Sequence, residues 1–193
     1  MRISKEQAKA NREKVVDAAS GLFRAHGFDG IAVVDIMKAA GFTHGGFYNH
    51  FGSKADLSAE ALGRAFEQMS DERDRQPDLA TLLRRYLSRP ARAAPARTCP
   101  AAALAGDAAR QPEQVRGAFA RGLEDMIDSI RHRLETEDRV DPAQAPNLAL
   151  IVVTRMAGAL ALSRAVPDDH PLAQALLDVN LDAILADIAA ATA

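Results

Sequence analysis

Residues 39–54 carry the clearest structural signal in the chain and read Ala39-Ala40-Gly41-Phe42-Thr43-His44-Gly45-Gly46-Phe47-Tyr48-Asn49-His50-Phe51-Gly52-Ser53-Lys54. Gly41 can adopt the left-handed conformation that ends a helix, and we expect the Thr43 hydroxyl to cap a second helix. Two short helices joined by a glycine-containing turn form a helix-turn-helix, whose second helix enters the DNA major groove. The sequence therefore predicts a DNA-binding element.

The second helix carries aromatic, amide and imidazole side chains where a surface helix normally carries Glu and Lys. Phe47 and Phe51 are four residues apart and are expected to face the core, with Tyr48 partly inward and its hydroxyl near a phosphate. Gly45 and Gly46 each cost a helix about 1 kcal/mol relative to Ala. They are expected where the backbone approaches DNA closely, or alternatively in a helix that orders only on DNA.

Residues 40–54 follow the pattern Ala-Gly-Phe-Thr-x-Gly-x-Phe-Tyr-x-His-Phe-x-Ser-Lys. This pattern resembles the recognition helix of the TetR family of one-component transcriptional regulators. The resemblance covers residues 10–62, where apolar side chains fall at the spacing typical of the family: Val15, Ala18, Ala19, Leu22, Phe23, Gly27, Phe28, Ile36, Leu57 and Leu62.

The resemblance implies that His50 and Lys54 contact phosphates and that His44 contacts base edges or a phosphate. The chain departs from the family pattern at the first helix of the motif, where Thr and a basic residue are usual but Ala32, Val33 and Val34 stand. The missing cap is expected to cost about 1 kcal/mol. The candidate DNA-binding residues are Val33, Thr43, His44, Gly45, Gly46, Tyr48, Asn49, His50 and Lys54.

The basic residues at the N-terminus are expected to compensate for the lost phosphate contact by reaching the DNA backbone: Arg2, Lys5, Lys9, Arg12 and Lys14. Residues 1–54 hold eight Lys/Arg and five Asp/Glu, whereas the remaining residues hold 16 and 21. A basic head on an acidic body is typical of a protein whose head meets a polyanion. Because this helix-turn-helix contains no Arg, which makes the commonest contact to guanine, we expect modest base readout.

Composition favours an all-α fold. The chain has 193 residues, of which 48% are hydrophobic and only 5% aromatic, with Ala dominant. We expect neither a membrane span nor a signal peptide, because no long uncharged apolar run occurs and a charged helix follows Met1. The single cysteine excludes an intrachain disulfide and suits a reducing cytoplasm. No metal or cofactor is expected.

The apolar periodicity predicts helices over residues 2–26, 33–40, 54–73, 78–88, 99–110, 112–134, 147–165 and 171–189. Residues 89–98 contain two prolines and are predicted to be a mobile loop. We expect a helix-turn-helix DNA-binding domain over residues 1–54 and a helical effector-binding and dimerisation domain over residues 55–193. The helix over 147–165 is apolar on most faces, so it should lie between its own domain and a partner. Together the last two helices resemble the dimer-forming pair of the family.

Several side chains of the second domain are candidates for an effector cavity: Phe66, Met69, Tyr86, Cys99, Leu104, Phe119, Met126, Arg155 and Met156. A stripe of Met and aromatic residues more often forms ordinary core. Arg155 is expected either to pair with Asp107 or Asp125 or to anchor an anionic effector. An apolar lining with one buried cation would suit a mostly hydrophobic, acidic molecule.

The sequence allows three interpretations of the role of Cys99. It is a passive core thiol, a redox or electrophile sensor beside Pro100 and Arg97 at a predicted helix start, or a nucleophile activated by His132 or His170. Its position resembles that of a sensing cysteine in some electrophile-responsive family members.

The sequence as a whole predicts a homodimeric repressor. It would leave a pseudo-palindromic operator when a small apolar effector binds or when Cys99 is modified. The alternatives are an activator of the same fold and a cysteine-dependent enzyme with a DNA-binding head.

Overall fold

The computed structural model describes residues 4–192, which form nine α-helices and two 3₁₀ helices. The α-helices are α1 (Lys5–His26), α2 (Val33–Ala39), α3 (Lys54–Asp74), α4 (Leu79–Tyr86), α5 (Arg89–Ala93), α6 (Pro100–Ala108), α7 (Glu113–Thr136), α8 (Ala145–Arg164) and α9 (Pro171–Ala191). The 3₁₀ helices are His44–Asn49 and Pro95–Arg97. The all-α prediction is confirmed. Arg2, predicted in the first helix, lies outside the described residues.

The N-terminal helices α1 and α2, the 3₁₀ helix His44–Asn49 and the start of α3 enclose one apolar core. Its fully buried members include Val15, Phe23, Phe28, Ile36, Phe47 and Leu57. Gly27 ends α1 and Gly41 follows α2, with φ angles of 76° and 84° that a side chain disfavours. The predicted glycine turn between the two helices of the motif is therefore present.

Helix α3 begins where Ser53 accepts a hydrogen bond from the Asp56 amide at 3.1 Å, which is the predicted cap. The helix packs against α1 on one side and α7 on the other. It lies close to α7 at Gly122, where a Cβ atom would stand 2.1 Å from the Phe66 ring. Gly122 is therefore required for α3 and α7 to pack at this distance.

The prediction of a mobile loop over residues 89–98 is wrong. Ser88 caps α5 with Pro90 in its first turn, and a proline also opens the 3₁₀ helix Pro95–Arg97. Proline is compatible with the first turn of a helix because the amide there needs no partner. Two arginines fasten the segment to α8, since Arg92 donates to the Ser163 carbonyl at 2.9 Å and Arg164 donates to the Ala91 carbonyl at 2.7 Å.

Helices α8 and α9 pack together and present apolar side chains to solvent. The exposed members are Leu150, Ile151, Leu162, Leu172 and Val179. Among the described residues, α8 is also the one helix long and apolar enough to cross a membrane by length and composition alone. Its most apolar window is 44% buried inside the protein, and the core helix of a soluble protein meets the same criterion.

Candidate nucleic-acid interface and effector cavity

The predicted second helix of the motif, the recognition helix, is present over His44–Asn49 as a 3₁₀ helix. The Thr43 hydroxyl accepts no capping hydrogen bond, so that prediction is wrong, although the Thr43 carbonyl accepts from the Gly46 amide at 3.1 Å. Two adjacent glycines have low helix propensity, and the segment is too short to propagate an α-helix by itself.

Two phenylalanines fix the recognition helix to the core. Phe47 and Phe51 are buried as predicted, with ring centroids 5.5 Å apart. Tyr48 was expected to turn partly inward, but it is 70% exposed and makes only edge-to-face contacts with the rings of Phe47 and His44. The amphipathic ring of Tyr48 is thus held at the surface with its hydroxyl free to reach a partner.

The other predicted DNA-binding residues divide by exposure. Thr43, His44, Gly45 and Asn49 are exposed, whereas Gly46, His50 and Lys54 are half-buried. Lys54 is the first residue of α3, at the edge of the same surface. Val33 packs against the core, and the exposed side chain at the start of α2 is its neighbour Val34. Val33 is itself half-buried, so Val34 presents more of its side chain at the start of α2.

Arg12 joins three elements around the end of the recognition helix. Its guanidinium pairs with both carboxylate oxygens of Glu60 on α3 and lies 4.6 Å from the Phe51 ring centroid. Its Nε also donates to the His50 carbonyl at 3.3 Å. We call these contacts the Arg12 bridge. Arg12 was expected to bind DNA phosphates, but it instead holds the recognition helix against α1 and α3.

A cavity of about 700 Å³ lies beside the C-terminal end of α3. We call it the Tyr86 cavity. Three of the predicted pocket residues line it, namely Met69, Tyr86 and Cys99, together with Leu82, Leu160 and polar side chains of α3, α4 and residues 88–98. Its volume is in the range of sites that bind small organic molecules.

The remaining predicted pocket residues lie outside this lining. Phe66 packs edge-on against Phe119, and Leu104 and Met156 are buried in the core. Met126 is also buried, with its Sδ 3.9 Å from the Cys99 Sγ. These side chains form the apolar support behind the cavity, because the stripe they make is buried by helix packing.

Arg155 pairs with an acidic side chain, as the simpler prediction had it, but the partner differs from the two that were named. It pairs with Asp187 of α9 instead of Asp107 or Asp125, and it does not line the Tyr86 cavity. Helix α9 lies across this face of α8, so a carboxylate far away in sequence neutralises the arginine. Arg155 is thus a contact between α8 and α9, and no local pattern around it identifies Asp187 as its partner.

Three arginines lie near Cys99, namely Arg24, Arg73 and Arg164, of which only Arg73 lines the Tyr86 cavity, and none of them was predicted. Burial lowers the pKa of each, and Cys99 lies close enough to act on all three in the opposite direction. Arg24 and Arg164 donate to carbonyl, hydroxyl and amide oxygens, including the Thr98 carbonyl at 3.1 Å from Arg24. No carboxylate pairs with any of the three within residues 4–192.

The predicted alternative of a cysteine nucleophile required a histidine beside Cys99. His132 and His170 are both exposed, and His170 instead accepts a capping hydrogen bond from the Leu172 amide at 3.2 Å. The Cys99 thiol is buried next to the Met126 sulfur. Among the residues that the structure describes, no three His, Cys, Asp or Glu side chains are grouped to hold a metal.

A helix-turn-helix with an exposed, partly aromatic recognition helix, joined by one long helix to a helical body with a cavity, defines a DNA-binding transcriptional regulator. Comparison with known proteins gives the family. The model described as "Bacterial regulatory proteins, tetR family" matches residues 15–61, and the model described as "Transcriptional regulator LmrA/YxaF-like, C-terminal domain" matches residues 79–176. The chain belongs to the TetR family of transcriptional regulators.

Individual relatives agree with this assignment. The HTH-type transcriptional regulator AcrR of Shigella flexneri is 39% identical over 59 residues, which are 31% of this chain and 27% of AcrR. An uncharacterised HTH-type regulator of Mycobacterium tuberculosis is 28% identical over 83% of this chain and 88% of its own. A TetR-family regulator structure from Cytophaga hutchinsonii superposes with a TM-score of 0.78 at 15% identity, covering 99% of this chain and 98% of the other.

Proposed function

We propose that this protein is a homodimeric, ligand-responsive repressor that binds a pseudo-palindromic operator and leaves it when a small molecule fills the Tyr86 cavity. DNA binding is assigned to residues 1–54, and effector binding and dimerisation to residues 55–193. Operator contact is assigned to the exposed residues Tyr48, His44 and Asn49 and to Lys54. An activator of the same fold is the alternative.

The observation that carries this proposal is the course of α3. Its first residue, Lys54, adjoins the recognition helix, and its last turns contribute Met69, Glu72 and Arg73 to the cavity. A ligand that displaces the end of α3 therefore acts on the helix that carries the DNA-binding head. For complete release it must favour the released state over the DNA-bound state by several kcal/mol.

The exposed apolar side chains of α8 and α9 support a two-fold dimer. Leu162 and Val179 are 58% and 66% exposed, and a patch of such residues is typical of a protein–protein interface. A two-fold axis places two recognition helices about one DNA turn, or a multiple of it, apart. The two-fold symmetry of the proposed dimer therefore predicts a palindromic operator.

The direct test is selection of bound sequences from a randomised DNA duplex. Wild-type protein is expected to enrich a motif with two-fold symmetry, and Tyr48→Ala is expected to bind it more weakly with an unchanged circular dichroism spectrum. Arg84→Ala, an exposed substitution on α4 away from the head, is the matched control. Enrichment of no motif by the wild type would refute sequence-specific binding.

Repression and activation are distinguished by measuring transcription from a promoter that contains the selected motif. The measurement is made in cells with and without the gene for this protein. A repressor predicts higher transcription in its absence, because the bound dimer then no longer blocks the promoter. Lower transcription in its absence would establish the activator.

Cys99 is proposed as a second trigger, since it lies in the wall of the same cavity. Alkylation adds bulk to a thiol that is only 1% exposed and packed against Met126. Treatment with N-ethylmaleimide is expected to weaken operator binding by the wild type and to leave Cys99→Ser unaffected. Equal loss in both proteins, or loss in neither, would make Cys99 a passive core residue.

A further inference from the structure

Arg73 is a buried cation with no partner. Its side chain is 5% exposed and lies in the wall of the Tyr86 cavity. Its Nε has no hydrogen-bond partner, and the guanidinium forms no ion pair with any residue in the range 4–192. Asp74 and Asp125 offset the burial of Arg73 only through space, because neither forms an ion pair with it. A buried cation that no carboxylate contacts directly is unfavourable, so its presence in a cavity wall points to a group that is supplied from outside.

Tyr86 supplies a second unused donor in the same wall. Its ring is 8% exposed, and its hydroxyl also lacks a hydrogen-bond partner. Burial first, and then the nearby Cys99 thiol, raise the pKa of Tyr86 well above its ordinary value. The hydroxyl therefore keeps its proton at neutral pH, and its neighbouring acceptor is the Cys99 sulfur, a weak acceptor that a carboxylate oxygen would replace.

The other charged groups of the cavity leave it positive. Arg73, Arg85 and Arg97 are opposed by a single carboxylate, Glu72. Glu72 is already paired with Arg75 at 2.7 Å and with Arg85 at 3.1 Å, so it does not neutralise Arg73. Leu82, Met69 and Leu160 supply an apolar surface beside these groups.

We infer that the Tyr86 cavity binds an organic anion, whose acid group is held by the Arg73 guanidinium and the Tyr86 hydroxyl while its apolar body packs against Leu82, Met69 and Leu160. A carboxylate suits a guanidinium because it can accept two parallel hydrogen bonds. This inference rests on the proposal that the cavity is the effector site, and it adds the chemical class of the effector.

The test uses two probes of the same shape, 2-naphthoate and its uncharged carboxamide, 2-naphthamide. Binding to the full-length protein without DNA is measured by isothermal titration calorimetry. The carboxylate is expected to bind wild type about tenfold more tightly than the amide, since a hydrogen bond to a charged group contributes at least about 1.4 kcal/mol.

Three variants locate the preference. Arg73→Met should reduce the carboxylate-to-amide affinity ratio to about one, and Tyr86→Phe should reduce it by a smaller factor. Arg84→Met is the matched control, because it removes one exposed arginine that does not line the cavity, and it should leave the ratio unchanged. If Arg73→Met does not fold, the wild-type ratio and Tyr86→Phe still decide the question.

Equal affinity of the wild type for the two probes, or retention of the preference in Arg73→Met, would overturn the inference while leaving the cavity as an effector site. Failure of both probes to bind would count against this inference and the proposed site together. Binding of inorganic sulfate as tightly as 2-naphthoate would show that the apolar wall contributes nothing, and would also overturn it.

Discussion

Gly45 lies on the exposed side of the recognition helix, and nothing in the folded protein requires a glycine there. A Cβ atom at this position would meet no atom within 4 Å, and the backbone does not have a positive φ angle. Gly45→Ala should therefore leave the free energy of unfolding unchanged or raise it by up to about 1 kcal/mol, because Ala has the higher helix propensity. The melting temperature should be unchanged or higher. Operator affinity should fall, because the new methyl group lies where the DNA approaches.

Gly63→Ala provides the control for that substitution. It also replaces a glycine with open space around it, but within α3 and away from the recognition helix. It should raise stability similarly and leave operator affinity unchanged. If Gly45→Ala binds the operator as the wild type does, close backbone approach at Gly45 is ruled out.

Lys54 is expected to contact a single phosphate. Its amine stands at the start of α3, where the unpaired amides also favour an anion. Lys54→Ala should weaken binding to all duplexes alike and reduce the slope of log affinity against log salt by about one. Affinity is measured by fluorescence anisotropy at several salt concentrations, and an unchanged slope would remove Lys54 from the interface.

The Arg12 bridge links α1, the recognition helix and α3. Its loss should therefore change operator affinity by displacing the recognition helix and not by removing a contact between a positive charge and the DNA. Because Arg12 and Glu60 are each 39% exposed, Arg12→Met should lower the free energy of unfolding by no more than about 1 kcal/mol. Operator affinity should decrease with an unchanged salt slope, since the guanidinium is already occupied. Glu60→Gln should produce the same pattern.

Lys14→Ala is the comparison for the bridge, because it removes an exposed positive charge two residues further along α1 that is expected to reach the DNA backbone. It should therefore reduce the salt slope, whereas Arg12→Met should not. A reduced salt slope for Arg12→Met but not for Glu60→Gln would mean that Arg12 leaves Glu60 to bind a phosphate in the complex.

Elements were predictable where a local signal sets them. Ser53 and Asp78 cap α3 and α4 as their sequence positions suggest, and apolar periodicity located both helices. Residues 89–98 were misjudged because the two prolines begin short helices there, and the contacts that fix them come from Arg92 and Arg164 with α8. Such contacts depend on which segments meet, which local patterns do not reveal.

The candidate sites show the same division. Phe47, Phe51 and the turn at Gly41 were predictable from spacing, as was the presence of Tyr86 and Cys99 near one another in the body. The sequence predicted Arg155 as the cation of the cavity, because Arg155 lies in the middle of an otherwise apolar helix. Arg73 resembles an ordinary surface residue in sequence, because its burial arises only from the packing of other elements around it.

At the scale of the whole molecule, the dimer prediction becomes sharper. Ile184 lies in α9, one of the two helices expected to form the dimer, but it is fully buried within one protomer, so Ile184→Glu would disrupt the core. Val179→Glu on the exposed face of α9 should instead yield a folded monomer, because it places a charge within the apolar contact. Sedimentation velocity at micromolar concentration measures the change.

Ala105→Glu adds the same charge on the exposed side of α6 and should remain dimeric. The monomeric Val179→Glu should also lose operator affinity, since one recognition helix then binds without the other. A dimer that persists in Val179→Glu, Leu162→Glu and the double variant would place the interface elsewhere.

The close contact between Gly122 and Phe66 gives α3 the geometry of a lever. Phe66 lies about 18 Å along the helix axis from Lys54 and about 10 Å from Arg73, from the rise per residue. Because the two helices are in such close contact there, we expect α3 to tilt about Phe66 more easily than it slides. A displacement of about 1 Å at Arg73 then moves Lys54 by nearly twice as much in the opposite direction. A small movement at the cavity therefore becomes a larger movement of the DNA-binding head.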